Sequence, residues 1–403
     1  MSKLNDLIKE MCPNGVEYKT IIECLSQPIT DGPHETPKLV NEGIPFVSVE
    51  AIHDGIVDLK KCRGYITKEY DLICSKKYKP QKYDVYFVKS ASVGKVGIAM
   101  DDSDFNIWSP LAAMRCNFSI ILPRFLFHVL QTERIQKEAI IQSSTSSQPN
   151  LSMRKLEKFT IPVPPLEIQK EIVRILDKFG ELEAELEAEL EARENQYEFW
   201  SGKLLNSGNS NQQYITLGDI GKICMCKRIM KNETSDSGDV PFYKIGTFGK
   251  QADAYISYDI FNDYKKRFSY PKKGEILVSC SGTIGRLVVF DGNDAYFQDS
   301  NIVWLSNDER KILNKFLYYF YQTSPWNISD GGTIKRLYNN QFISAKVPLY
   351  SLEKQKRIVS ILEHFDKLIN DISEGLPAEI ELRRKQYEYY RNKLLNFEEL
   401  KNE

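Results

Sequence analysis

No stretch of the 403-residue chain approaches the roughly 20 consecutive apolar residues that a membrane helix needs. The opening decapeptide, Met1 to Glu10, is polar and charged and lacks the basic-then-apolar order of a secretory leader. A cytoplasmic location without a membrane partner is therefore expected. Paired cysteines are missing too. The eight cysteines are scattered, and the close pair Cys224 and Cys226 has no second cysteine or histidine pair nearby to complete a zinc site. No metal site is expected. Histidine is scarce: His34, His53, His128 and His364 lie far apart, without zincin or triad spacing. Ser92-Val93-Gly94-Lys95-Val96 lacks the upstream glycine and the following Ser or Thr of a phosphate-binding loop. Pro164-Pro165 is followed by Leu166, not by the aromatic residue of a methyltransferase motif. These absences argue against a nuclease, ATPase or methyltransferase acting alone, and the chain is read as non-catalytic.

A strong net charge is also lacking. The total is −1, but its parts are segregated. Residues 1–160 carry 21 basic and 19 acidic side chains, a net of +2, and residues 207–345 carry 17 and 14, a net of +3. Residues 161–206 carry 5 and 11, a net of −6, and residues 346–403 carry 11 of each. The acid is concentrated in one segment, and the remainder is basic enough to permit contact with a polyanion.

What the sequence does contain is itself, twice. Ile161-Pro-Val-Pro-Pro-Leu-Glu-Ile-Gln-Lys-Glu-Ile-Val-Arg-Ile-Leu returns at residue 347 as Val-Pro-Leu-Tyr-Ser-Leu-Glu-Lys-Gln-Lys-Arg-Ile-Val-Ser-Ile-Leu. At an offset of 186, Pro162 meets Pro348, Gln169 meets Gln355 and Phe179 meets Phe365. Gln196-Tyr197-Glu198 and Lys203-Leu204-Leu205 return at an offset of 190 as Gln386-Tyr387-Glu388 and Lys393-Leu394-Leu395. Weaker echoes join Pro45-Phe46 to Pro241-Phe242 and Ser92-Val-Gly-Lys to Thr283-Ile-Gly-Arg. The chain thus divides into a first variable domain (1–160), a first helical region (161–206), a second variable domain (207–345) and a second helical region (346–403).

In the variable domains, Val85-Tyr-Phe-Val and Glu275-Ile-Leu-Val read as strands leading into glycine-containing turns. Phe125 to Gln136 and Leu313 to Gln322 read as short helices. The prolines at 162, 164 and 165 forbid helix before Leu166 and pre-set its first turn. Apolar residues then recur every three or four positions to Leu190, which predicts a helix from Leu166 to Leu205 about 60 Å long. Ser351 is a natural N-cap for the second helix, and Gly375 with Pro377 should interrupt it near its middle. Two long helices with one apolar stripe each predict an antiparallel coiled coil. Residues 181–192 are Glu-Leu-Glu-Ala written three times. Each copy adds about 6 Å and roughly 400° of rotation, the behaviour of a spacer of adjustable length.

With the duplicated block, the tyrosine-rich helix ends and the half-repeat plan together, the whole chain resembles the specificity subunit of type I restriction–modification systems. The resemblance implies an α+β fold with two tandem, β-rich target-recognition domains, separated by the paired helices in a pseudo-two-fold arrangement. It implies that each domain reads half of a split target in double-stranded DNA. It also implies that the helices dock two methyltransferase subunits, which restriction subunits then join. S-adenosylmethionine, ATP and Mg would serve those partners, with no cofactor in this chain. The rival reading is a coiled-coil adaptor that never touches DNA; it predicts no salt-dependent binding to a duplex.

Small residues that admit a close backbone, followed by a cation, suit phosphate contact. Ser90, Ser92, Gly94 and Lys95 form one such loop, and Ser281, Thr283, Gly285 and Arg286 form its counterpart. Polar stretches ahead of each long helix supply a second pair of candidates: Thr145, Gln148 and Asn150, then Thr333, Lys335 and Arg336. For partner docking the candidates are the aromatic helix ends Tyr197, Trp200, Tyr387 and Tyr390.

Overall fold

A computed structural model describes residues 2–144, 149–205, 212–326 and 335–400. The fold resolves into two compact units, one made of Met1–Glu187 with Glu379–Glu403, the other of Ala188–Ala378. Each unit is therefore a variable domain with the halves of two different helical segments.

In the first unit, strands β1 (Thr30–Asp31), β2 (Ile52–His53), β3 (Ile56–Val57), β4 (Val85–Val88), β5 (Val96–Ile98) and β6 (Leu111–Met114) form one sheet in the order β1-β6-β4-β5-β3-β2. All four residues of β4 and of β6 are buried, so both faces are covered and the sequence runs apolar without alternation. In the second unit, β7 (Gly221–Cys224), β8 (Ile276–Ser279), β9 (Leu287–Val289) and β10 (Ile302–Asn307) take the order β7-β10-β8-β9, the same order as β1-β6-β4-β5.

The duplication extends to register. Tyr18–Thr20 pairs antiparallel with Thr160–Pro162, Tyr18 opposite Pro162. Tyr214–Thr216 pairs the same way with Lys346–Pro348, Tyr214 opposite Pro348. Ile44–Val47 runs parallel to Asn106–Ile107, and Val240–Tyr243 runs parallel to Tyr296–Phe297. Because a one-residue slip would turn every side chain to the wrong face, identical register means that the two copies bury equivalent positions.

Three long helices complete the units: α1 (Leu166–Leu205), α2 (Leu352–Asn370) and α3 (Leu376–Leu394). The first begins directly after Pro165 and runs unbroken for 40 residues. The second helical region is two helices. The chain leaves helix at Asp371 and resumes at Leu376, with Gly375 closing a turn from its N–H to the Asp371 carbonyl at 2.9 Å. A Cβ on Gly375 would stand 2.6 Å from that carbonyl oxygen, and Pro377 sits in the first turn of α3, where its missing N–H costs nothing. The short helix expected from Phe125 is also two, Pro123–Leu130 and Glu133–Gln142.

Within the first unit, Ile168, Ile172 and Leu176 of α1 join Phe125, Leu126 and Leu130 in one core that also takes in Leu4 and Leu395. There α3 runs antiparallel to α1: Arg384 bonds Glu183 and Glu187, and Tyr390 stacks on Phe179 with ring centres 5.4 Å apart. Within the second unit, Leu205 of α1 shares a core with Phe316, Phe320, Ile358 and Leu362, and Tyr197 meets Phe365 of α2 in the same antiparallel sense. The expected helix pairing is thus present in each unit.

Candidate nucleic-acid interface

The turn between β4 and β5 closes on two hydrogen bonds, Val88 N–H to the Lys95 carbonyl (2.8 Å) and Gly94 N–H to the Val88 carbonyl (3.0 Å). Gly94 holds φ at +105°, and a Cβ there would stand 2.2 Å from Gln136 Oε1. Gln136 in turn donates to the Gly94 carbonyl at 2.8 Å, so a glutamine from the following helix pins the loop from below. Ser92 is left exposed within the loop and Lys95 where the loop rejoins β5.

Ser90 Oγ donates to Asn150 Oδ1 at 2.7 Å, and Leu151 N–H donates to the Lys89 carbonyl at 2.8 Å. Two stretches singled out separately in the sequence therefore form one surface. Thr145 and Gln148 lie outside the described residues, as does Thr333.

The second unit repeats the arrangement. Ser279 N–H donates to the Arg286 carbonyl (3.0 Å), Gly285 N–H donates to the Ser279 carbonyl (2.9 Å), and Gly285 holds φ at +82°. Leu337 N–H donates to the Cys280 carbonyl at 2.9 Å, the counterpart of Leu151 and Lys89. Ser281 Oγ bonds Asn301 Oδ1 at 2.9 Å, and Thr283 is exposed. The guanidinium of Arg286 donates to the Phe248 carbonyl at 2.8 Å, which fixes its direction and leaves donors for an anion. Arg336 donates to the Ser300 carbonyl at 2.8 Å, beside the same loop, and Lys335 is exposed next to it.

The electrostatics at the loop roots differ. Lys89, immediately before Ser90, is buried with its ammonium 3.3 Å from Asp31, which Lys77 also bonds at 2.5 Å. Burial alone would raise the Asp31 pKa, but the hydrogen bond and charge of Lys77, aided by Lys89, hold its carboxyl below the usual range. In the second unit the matching position is Cys280, whose thiol burial pushes up to about 11. Neither Lys89 nor Asp31 was legible as part of the site, since nothing in the local pattern separates a buried lysine from an exposed one. Two short basic runs in the sequence, Lys76-Lys77 with Lys79 and Lys265-Lys266-Arg267, are largely engaged internally: Lys79 with Asp71 and Asp104, Lys265 with Asp294, Arg267 with Asp263. Beside the first loop an open cleft of about 510 Å³ presents Lys95 and Arg391.

The aromatic helix ends sort into two kinds. Tyr387 and Tyr197 are half-buried inside their own units. The Tyr387 hydroxyl lies 2.9 Å from His128 Nδ1, and the Tyr197 hydroxyl donates to Gln322 at 2.9 Å. Tyr390 stacks on Phe179. The outward faces carry Trp200, with Phe199, in the second unit and Tyr389 in the first. Lys203 stands over the Phe199–Trp200 pair and Lys393 over Tyr389, so the two helix ends display matched aromatic–lysine patches. Helical spacing had marked these ends as aromatic without showing which rings turn inward.

The model of the type I restriction modification DNA specificity domain matches this chain twice, over residues 33–192 and 209–382. The chain belongs to that family. Its two matches, like the two registers of pairing, make it a tandem member with one specificity domain per copy. A type I restriction enzyme specificity subunit of Haemophilus influenzae is 52% identical over 282 residues, covering 68% of this chain and 72% of that protein. The EcoR124I/EcoR124II specificity subunit of Escherichia coli is 33% identical over 260 residues, 60% of this chain and 63% of that protein. The fold matches a chain from a study of complex assembly and conformational transition in the type I R-M system, with a TM-score of 0.61 at 16% identity, over 95% of this chain and 98% of that one. It also matches the HsdS subunit of Thermoanaerobacter tengcongensis, with a TM-score of 0.52 at 16% identity, over 96% and 97%. The adaptor reading is not favoured by a DNA specificity domain that recurs across the chain. No helix among the described residues is long and apolar enough to cross a membrane, and no group of metal-ligating side chains occurs among them.

Proposed function

We propose that this specificity subunit reads a bipartite sequence in double-stranded DNA, one half with each unit, and performs no reaction itself. The observation that carries the reading is the duplicated hairpin loop ending in Lys95 and in Arg286, each braced by a neighbouring segment of its own domain. A rigid loop with an exposed cation contacts phosphate without losing much side-chain entropy, and adjacent polar side chains can then address base edges. Weak reading by either half becomes specific when both engage at once, because the second contact is made at high effective concentration.

Two methyltransferase subunits would take the matched patches at Trp200 and Tyr389, one each, and restriction subunits would join that core. S-adenosylmethionine, ATP and Mg would be bound by those partners. Catalysis then resides in the assembled complex, in the cytoplasm where the chromosome is. Sequencing of modified bases in the host genome, with the gene intact and deleted, tests the reading. A split motif should vanish on deletion, and replacing residues 1–150 with those of a different family member should rewrite one half of the motif. A change in both halves, or in neither, would refute the two-reader arrangement.

A further inference from the structure

The repeated helix block contains one polar side chain that is completely buried in both copies, Gln169 in the second turn of α1 and Gln355 in the second turn of α2. Gln169 Oε1 accepts from Leu122 N–H at 2.9 Å, and its Nε2 donates to the carbonyls of Ile120 (2.9 Å) and Pro164 (2.8 Å). Gln355 Oε1 accepts from Leu313 N–H at 2.8 Å, and its Nε2 donates to the carbonyls of Lys311 (2.8 Å) and Tyr350 (2.9 Å). Every partner is main chain. One belongs to the proline- or tyrosine-bearing entry of the helix, and two belong to the loop before a short helix of the reading domain. Only a planar amide offers one acceptor and two donors in this fixed geometry.

Nearby positions at the same joint changed residue between the copies. The Arg124–Asp177 pair of the first unit is Lys315–Glu363 in the second. The glutamine did not change, and neither did any of its three bonds. An apolar residue there would hold helix and domain together by burial, which is non-directional. Three directed bonds resist rocking as well. Rocking matters most for α1: a tilt of about 5° at the root of a 60 Å rod displaces its tip by about 5 Å, more than one base-pair rise of DNA, and the same tilt moves the tip of the 19-residue α2 by about 2.5 Å.

We infer that Gln169 and Gln355 are positioning residues that set the angle at which each reading domain meets its helix, and so fix the number of base pairs tolerated between the two half-targets. This rests on the bipartite reading proposed above. The test uses the complete subunit assembled with its methyltransferase and a plasmid library carrying both half-targets at every separation from three below to three above the native one. Methylation at each separation is read by sequencing. Q169L and Q355L should flatten the profile, with the preference for the native separation over its neighbours dropping roughly tenfold while the half-target sequences stay unchanged. Q169N, which keeps the amide but cannot reach all three partners, should fall between. Lys170→Ala, on the exposed side of the same turn, should leave the profile intact. Methylation lost in equal proportion at every separation, complete loss included, would make the glutamines merely structural and overturn the inference. So would variants as selective as wild type. A wild-type complex that methylates no split target at all would instead remove the bipartite reading, and this inference with it.

Discussion

The two units share strand order, register and a glutamine joint, yet differ where each variable domain meets its helices. In the first unit His128 is buried, with Nε2 2.7 Å from Asp177 and Nδ1 2.9 Å from the Tyr387 hydroxyl. Arg124 also bonds Asp177, and Arg391 lies over the Tyr387 ring. The matching joint in the second unit uses Tyr319, Tyr197 and Gln322, with Lys315 paired to Glu363 outside. A duplicated scaffold fixes where side chains stand and leaves open whether they titrate. The first unit has at its joint an imidazole whose pKa burial lowers, where the second has a tyrosine.

The strongest way to break the equivalence is to remove matched core residues. Phe125→Ala and Phe316→Ala, each at a fully buried position, should each cost about 3–5 kcal/mol. Denaturant titration followed by limited proteolysis should show each loss confined to its own unit; a loss shared by both would mean that the cores are one.

Next in size are the loop glycines. Gly94→Ala and Gly285→Ala both force a side chain into left-handed backbone, about 1–2 kcal/mol each. The first must also displace Gln136, a further ~1–3 kcal/mol, whereas the second meets its nearest neighbour, Trp326 Nε1, at an ordinary 3.5 Å. Equal melting temperatures for the two variants would contradict the brace assigned to Gln136.

Lys95→Ala and Arg286→Ala should each weaken duplex binding by the assembled complex and lower the slope of log K against log salt by about one. The arginine variant should lose more, because its guanidinium also ties down Phe248. An unchanged slope would remove that side chain from the phosphate contacts.

The smallest effect is pH dependence. Burial lowers the His128 pKa against the pull of its hydrogen bond to Asp177. The unfolded chain therefore binds the proton more readily than the folded one. Stability of the first unit should decline as pH falls below the ordinary imidazole value of 6.5, and continue to decline to the lower folded value. Burial also works against ionisation of Asp177, but bonds from His128 and Arg124 hold its pKa low, so its contribution is lost only in stronger acid. Melting curves between pH 7.5 and 5.5 should show the first unit destabilised and the second not, and His128→Tyr, borrowed from position 319, should abolish the difference. A first unit indifferent to pH would end the contrast.

Much of this plan was legible because duplication makes a sequence annotate itself. Pro162 and Pro348, aligned at an offset of 186, sit at the same register of equivalent ribbons, one in each unit. The helix from Leu166 to Leu205 followed from proline punctuation and apolar spacing, and both signals are local. What could not be read depends on distant partners. Gln169 and Gln355 stood in plain view as matching letters, but their role needs the loops at 120–122 and 311–313. Tyr197 and Tyr387 look like surface anchors until Gln322 and His128 are placed beside them. Lys89 reads as solvent-facing until Asp31 closes over it.

Val16 and Tyr18, near the start of the chain, are held by its end. Val16 N–H donates to the Glu398 carbonyl, Leu400 N–H to the Val16 carbonyl, and the Tyr18 hydroxyl to the Phe397 carbonyl, at 2.8 to 2.9 Å. The first unit is thus closed by a segment that lies beyond the whole second unit in the sequence. Its core, which holds both Leu4 and Leu395, joins two segments that flank the second unit, whose residues all lie between. Removing residues 395–400 should therefore lower the melting temperature of the first unit, at the far side of the sequence, and leave that of the second unchanged.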